Sequence, residues 1–348
     1  MKRFTIIVLA AIAFTNSFLT NGQSVGKTCN TKRYNYYINY AELAITDSLY
    51  AEALEYYDSA FRNIDSPFAI DKYNVAVCNA LLGNFENCRS GVENLLRKGL
   101  ERNLIRDNDA FSGFLSSEFG KGLFETKFEP CFDTNLRRIY DSIFEADQYY
   151  RELHPRDYHQ YYNDTVSKID VSNVKRMNDL IRAYGWPTEN LIGIQDFPVK
   201  RHEIIIVHQT NPKYQSYNYK ADIIYAYENC MIEANNAIYL LMRFDQVDPC
   251  RIMDAGLVTI IYDSLGIYRN DNLMSFLHKT GYEKMTDEQK TDQNRSDAGL
   301  ESVGNYRKKM LFNINDKRFI FKKFGNTVFV YSNKADYNYH SNNIRIDI

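Results

Sequence analysis

The sequence predicts a mainly α protein: two helical hairpins at the start, a central helical domain and a small C-terminal β-hairpin. Three observations carry this. Segments 50–61 and 85–96 repeat one another, apolar residues form stripes at helical spacing through the middle of the chain, and alternating apolar residues flank Gly325-Asn326 near its end. The 348 residues suggest two or three domains. The boundaries read as 1–22 for a targeting segment, 30–132 for the hairpins, 133–311 for the central helical domain and 312–348 for the β appendage.

At the N-terminus, Lys2 and Arg3 precede the apolar run "FTIIVLAAIAF". Eleven residues are too few to span a bilayer. Polar residues follow, and small Gly22 suits a cleavage site, so residues 1–22 read as a secretory signal peptide and the protein as secreted or periplasmic. Cys29 lies too far from the apolar run to be a lipoprotein anchor. The rest of the chain offers no stretch of ~20 apolar residues, so no integral membrane segment is expected after cleavage.

Removing Lys2 and Arg3 leaves 40 basic against 44 acidic residues, a formal charge of −4. Without a block of Lys and Arg to neutralise phosphates, nucleic acid is not an expected partner. Hydrophobic content of 45% and charged content of 25% are ordinary globular values, which makes large cores possible. The six cysteines (29, 78, 88, 131, 230 and 250) survive cleavage. An oxidising compartment permits one or two disulfides, with buried thiols as the alternative. Their spacing fits no zinc pattern, and neither a metal nor a cofactor is expected.

The repeat aligns with an offset of 35 residues: Tyr50 matches Phe85, Ala53 matches Cys88, Tyr57 matches Val92, Ala60 matches Leu95, and Ala41 matches Ala76. Small residues at 41, 53, 76 and 88 allow close helix approach, and Gly83-Asn84 supplies a turn. Residues 34–100 resemble tetratricopeptide repeats, pairs of antiparallel helices with a closely similar period. The usual Trp and an early Gly are absent, Ala41 and Ala76 standing in the Gly place. The resemblance implies a peptide or protein partner on the repeat face; the alternative is a hairpin pair that only buttresses the central domain. The Phe-rich stretch 111–132 is expected to cap the stack.

The central domain opens with a helix from about Asn135 through "SIFEADQYYREL". At 100° per residue, Leu136, Tyr140, Ile143 and Tyr150 form its apolar stripe, and Asp147 falls near the stripe centre. Arg151, four residues on, is placed to pair with it, and Gln148 sits just beyond the stripe edge. A buried carboxylate needs such partners. The next helix, about Asp170 to Tyr184, is expected to bury Val174, Met177, Leu180, Ile181 and Tyr184, with Asp170 as its N-cap and Asn173 on the same face. Gly185 and Pro187 end it, and Trp186 plugs the corner. In "RHEIIIVHQT", His202-Glu203 is not a zinc-protease motif, because His208 lies about 240° round a helix from His202. His208 closes an apolar run and is expected to be buried. Residues 219–245 read as helix with a break near Glu233 to Asn236, and Arg243 is placed to reach the same core.

Asp147-Gln148-x-x-Arg151, Asp170-x-x-Asn173, Gly185-Trp186-Pro187, Gly193 and His208 occur in this order. The pattern is similar to a family of uncharacterised bacterial domains, often secreted, over about residues 135–310, including Val303 and Arg307 of "SVGNYRKKM". Where that family has Gln-His, Asp-Arg and Tyr-Gly-Thr, this chain has Val207-His208-Gln209, Met242-Arg243 and Tyr262-Asp263-Ser264. The resemblance implies a mainly helical fold and brings no established activity.

Glu283 to Ser296 is polar without apolar periodicity and reads as an exposed loop. "RFIFKKFGNTVFVYS" then alternates around Gly325-Asn326, a two-residue hairpin signal, with "NNIRIDI" as a possible third strand. Two function classes follow. The first is a protein- or peptide-binding scaffold, consistent with the lack of any nucleophile or phosphate-loop motif. The alternative is a hydrolase-type enzyme with Asp147 and His208 in acid–base roles and Gln148, Arg151, Asn173 and Arg243 around the ligand, Arg151 or Arg243 serving as anchor.

Overall fold

Helix α1 (Thr31–Thr46) begins where Asn30 Oδ1 accepts the Arg33 amide at 3.0 Å. In this computed structural model, residues 29–153, 165–196, 200–212, 215–245, 257–262, 277–282, 287–321 and 327–343 are described. The signal segment 1–22, the Gly325-Asn326 turn, Cys250 and residues 344–348 lie outside them.

The chain is mainly helical. Tyr34, Ile38, Ala41 and Ile45 place the buried stripe of α1 against α2 (Tyr50–Phe61), which turns in Ala53, Tyr57 and Ala60. The second pair, α3 (Ala69–Leu81) and α4 (Phe85–Arg97), buries Ala76, Cys88, Val92 and Leu95 at the corresponding places. Gly83, at φ +75°, makes the turn between them without the strain a side chain would bring. Phe111 and Phe114 close over this core, as the Phe-rich stretch suggested.

The same core draws in the far end of the chain. Val303, Tyr306 and Met310 from a late helix (Val303–Asn315), together with Phe319 and Phe321, are buried with the residues of α1 to α4. This corrects the expected β-hairpin. Residues 318–321 form no strand, although Phe319 and Phe321 do share one buried side as their alternation implied. Alternation reports a half-buried extended chain and says nothing of what its backbone pairs with. Here the partners are side-chain amides: Asn74 holds Ile320, Asn108 donates to the Arg318 carbonyl at 2.7 Å, and Asn313 to that of Phe319 at 2.7 Å.

A second core belongs to the central region. It is built on α5 (Thr134–Leu153), α6 (Ser167–Tyr184), α7 (Arg201–His208), α8 (Lys220–Glu228) and α9 (Ala234–Phe244). Leu136, Tyr140, Ile143, Val174, Met177 and Trp186 fill its centre, Trp186 taking the corner expected of it. Tyr184 is exposed rather than part of the buried α6 stripe: it is the last residue of the helix, which Gly185, at φ +85°, ends directly after it. The interruption of the long helix falls at 229–233, a few residues earlier than expected.

The central region is not wholly helical. β1 (Leu257–Tyr262) pairs antiparallel with β2 (Leu277–Tyr282) and parallel with β3 (Thr327–Tyr331), in the order β2-β1-β3. The run "TVFVY" is therefore a strand, joined to β1, Val258 opposite Thr327, rather than to 318–321. A helix, Lys334–Asn343, follows it.

Residues 288–297 correct a further expectation. They form α10 (Glu288–Asp297), capped by Asp287, and it buries Thr291 and Arg295. Arg295 lies over the Tyr306 ring at 4.9 Å and donates to the Glu301 carbonyl at 2.6 Å. The helix packs through a charged residue, so it leaves no apolar stripe to read. We number the late helix α11 (Val303–Asn315) and the last one α12 (Lys334–Asn343).

Cys29 and Cys230 form a disulfide that ties the start of α1 to the turn between α8 and α9. Thr31 Oγ1 reinforces the junction by donating to the Tyr227 carbonyl at 2.9 Å. Cys78 and Cys88 are buried thiols, each pushed up to about 12 by burial, and Cys131 is an exposed thiol. Among the described residues no helix is long and apolar enough to cross a membrane.

Candidate functional site

The candidate site forms where α5, α6 and α7 meet. Asp133 starts α5 by accepting the Asn135 and Leu136 amides at 2.9 Å each. Three turns on, the stripe of Leu136, Tyr140 and Ile143 carries Asp147 inward, where it is 2% exposed. Its carboxylate has three side-chain partners: Gln148 Nε2 donates to Oδ2 at 2.6 Å, Arg151 Nη1 lies 3.1 Å from Oδ1, and His208 Nδ1 lies 3.0 Å from the same oxygen.

Arg151 extends the network. Its Nη2 donates to both oxygens of Asp170 at 3.0 Å, so one guanidinium faces two buried carboxylates. Asp170 is not the N-cap expected of it: α6 starts at Ser167, which places Asp170 inside the first turn and facing α5. Burial raises its pKa, and Arg151 pulls it the other way.

His208 is not fully buried: its side chain is 23% exposed. With Nδ1 against Asp147, its Nε2 makes no hydrogen bond to any described residue. Asn173 is buried on the expected face but donates to the Ile143 carbonyl at 3.2 Å, stitching α6 to α5. Arg243 donates to Thr210 Oγ1 at 3.2 Å and to the Tyr239 hydroxyl at 3.3 Å, lying over the Tyr239 ring. The structure thus joins Asp147, Gln148, Arg151 and His208, adds Asp170, turns Asn173 to a backbone carbonyl, and holds Arg243 beside Thr210.

Asp147, Asp170 and His208 can each bring one ligating atom within 4.8 Å of the others. Two carboxylates and an imidazole are a donor set suited to a divalent ion. Arg151 already lies against both carboxylates, so an ion would have to share them with a fixed positive charge. The sequence showed no metal spacing because these donors come from three helices, not from one local motif.

A second polar cluster was not foreseen. Lys200, at the start of α7, lies 3.4 Å from Glu189 and 3.7 Å from Glu233, and its backbone amide donates to Glu203 at 3.2 Å. Glu189 also accepts the Ala69 amide at 2.8 Å, which links this cluster to the start of α3. Burial pushes Glu203 up to about 7, against the pull of Lys200. Burial and the Lys200 charge hold His202 well below the usual imidazole range, and its Nδ1 faces Gln195 Oε1 at 3.1 Å. His202 and His208 therefore serve different networks, as the spacing argument required. A capping-type Glu three residues after Lys200 was the only local sign of this cluster.

No protein-family model, curated protein or solved structure matches the chain.

Proposed function

We propose that the chain is an exported helical protein with an acid–base site, in which His208 moves the proton and Asp147 orients it. The observation that carries this reading is the 3.0 Å contact from Asp147 Oδ1 to His208 Nδ1, with Nε2 unpartnered among the described residues. A carboxylate on Nδ1 favours the tautomer with its proton there and leaves the Nε2 lone pair to accept one. Such a base can activate water or a hydroxyl, the chemistry of a hydrolase. Arg151 fixes the two carboxylates, so Arg243 is the better candidate to anchor an anionic or carbonyl group. Export is supported by the N-terminal charge and apolar run, and the Cys29–Cys230 disulfide suits an oxidising compartment. The similarity to an uncharacterised bacterial family is in keeping with export and adds no activity.

The test is a panel of chromogenic esters, peptide anilides and phosphoesters offered to the purified mature protein. Turnover in the wild type should fall by roughly 10²–10⁴ in His208→Ala, the range of general acid–base catalysis. Equal rates in both proteins across the panel would remove the reading.

A repeat-binding reading stands beside it, in which the α1 to α4 hairpins act as a tetratricopeptide-like unit for a peptide or protein. Its support is an outward aromatic face: Tyr36 and Tyr40 are 56% and 38% exposed with rings 4.8 Å apart, and Tyr56 lies 5.5 Å from Tyr40. Exposed tyrosines at this density are a feature of interfaces. Substituting Tyr36 and Tyr40 with Ser should abolish capture of any partner that the wild type retains; undiminished capture would move the partner elsewhere.

A further inference from the structure

Among the described residues three lysines are buried: Lys98, Lys200 and Lys309. An ammonium group taken out of water needs an opposite charge beside it. Two of the three have one. Lys200 lies 3.4 Å from Glu189 and 3.7 Å from Glu233, and Lys309 lies 2.6 Å from Glu42 and 2.8 Å from Glu301. Lys98, only 5% exposed, has no ion-pair partner among the described residues. Its Nζ donates to one neutral acceptor, Asn190 Oδ1, at 2.5 Å.

A second cation stands near it. Lys72, on α3, is partly buried, and its side chain makes no hydrogen bond or ion pair among the described residues. Burial lowers its pKa, and the charge of Lys98 lowers it further, against the opposite pull of Glu189 and Cys131. Glu189 is already engaged, by Lys200 and by the Ala69 amide at 2.8 Å. Lys98 directly follows α4, but the carbonyl end of a helix carries only about half a charge. Two ammonium groups are thus held together without a full counter-charge. Asn190 and the Cys131 thiol, both exposed, mark where the pair opens to solvent.

We infer that Lys72 and Lys98 bind a small dianionic oxyanion of the phosphate or sulfate kind, at the seam between the second hairpin and the central region. Two lysines match two negative charges, whereas a single carboxylate would leave one of them unbalanced. Each ammonium group can donate several hydrogen bonds, and Asn190 takes only one of those that Lys98 offers. The oxygens of a tetrahedral ion can accept the rest, in the strong, charge-assisted class of hydrogen bond. This site shares no residue with the Asp147–His208 network and does not depend on the acid–base reading.

The experiment titrates the purified protein, its disulfide intact, with sodium phosphate and separately with sodium sulfate, sodium chloride holding the ionic strength constant. The melting temperature should rise saturably with phosphate, sulfate or both, the tighter ion naming the source. Alkylation of Cys131 by iodoacetamide, read by peptide mapping, should slow along the same curve. In Lys72→Gln the affinity should drop about ten-fold or more, the scale of one lost charged contact. Lys98→Gln supplies the same readout should Lys72→Gln fail to fold. Lys175→Gln, at an exposed lysine paired with Asp179, should bind as the wild type does. A melting temperature that climbs without saturation reports exclusion of the salt from the surface and overturns the assignment. So does Cys131 alkylation indifferent to both ions, or an unchanged affinity in folded Lys72→Gln or Lys98→Gln. Acetate binding as tightly as phosphate overturns the dianion.

Discussion

Asp147 and His208 meet at 3.0 Å, one buried on α5 and the other half-open on α7, so a single contact spans the boundary between core and solvent. The two ends of that contact should respond differently to substitution. Asp147→Asn leaves Arg151 and His208 short of a charged acceptor in a buried setting, where breaking such a pair costs about 3–5 kcal/mol. Its melting temperature should fall clearly. His208→Gln, at a partly exposed position, should change stability by less than about 1 kcal/mol while removing any turnover. A thermal melt of each variant checks this, and an unaltered melt for Asp147→Asn would show that the carboxylate is not an anchor.

Arg151 is the hub of the same network. Arg151→Met strands Asp147 and Asp170 together, and the loss should again reach about 3–5 kcal/mol. Adding Asp170→Asn to that variant should recover part of it, because the remaining like-charge pair is relieved. Chemical denaturation of the two single variants and the double variant gives the coupling, and strict additivity would mean that Arg151 and Asp170 do not interact.

The Lys200 cluster predicts a pH dependence. Burial holds Glu203 near 7 in the folded chain, above its ordinary value of 4.5. Between those values the folded state binds the proton more tightly than the unfolded state, so stability declines as pH rises through the window. Asp170, also raised by burial, adds in the same direction. Glu203→Gln should match the wild type near the lower value and exceed it above the higher one, on the order of 1–3 kcal/mol. Melts across that range test it; parallel curves would mean that Glu203 does not titrate there.

The disulfide gives a further expectation. Cys29→Ser with Cys230→Ser should lower stability by about 2–4 kcal/mol, since the bridge closes a long loop. Peptide mapping without reductant should recover the two cysteines linked, and recovery of both as free thiols would contradict the bridge.

Much of this was legible in the residues, and what was missed has physical causes. The 35-residue offset picked out buried positions of α1 to α4, because small and aromatic residues recur where helices touch. The stripe arithmetic placed Asp147 inside, since burial along one helix is a local property. Its partners could be read only as far as Arg151 and Gln148, on the same helix; Asp170 and His208 come from elsewhere, and nothing local brings them in. Asn173 had the right face and a different bond, because periodicity gives direction and not partner. α10 was hidden because it buries Arg295 instead of an apolar stripe. The alternation of 318–321 was sound, but its backbone is held by asparagines, a pairing that no strand pattern encodes.

The first core takes Val303, Tyr306, Met310, Phe319 and Phe321 from the end of the chain. Helices α1 to α4 are made early yet stay unfinished until some two hundred further residues have left the ribosome. Until then their apolar flank is open to chaperones, and loop closure over that distance slows its completion. Truncation anywhere before α11 would leave a product that cells degrade rather than a smaller working protein.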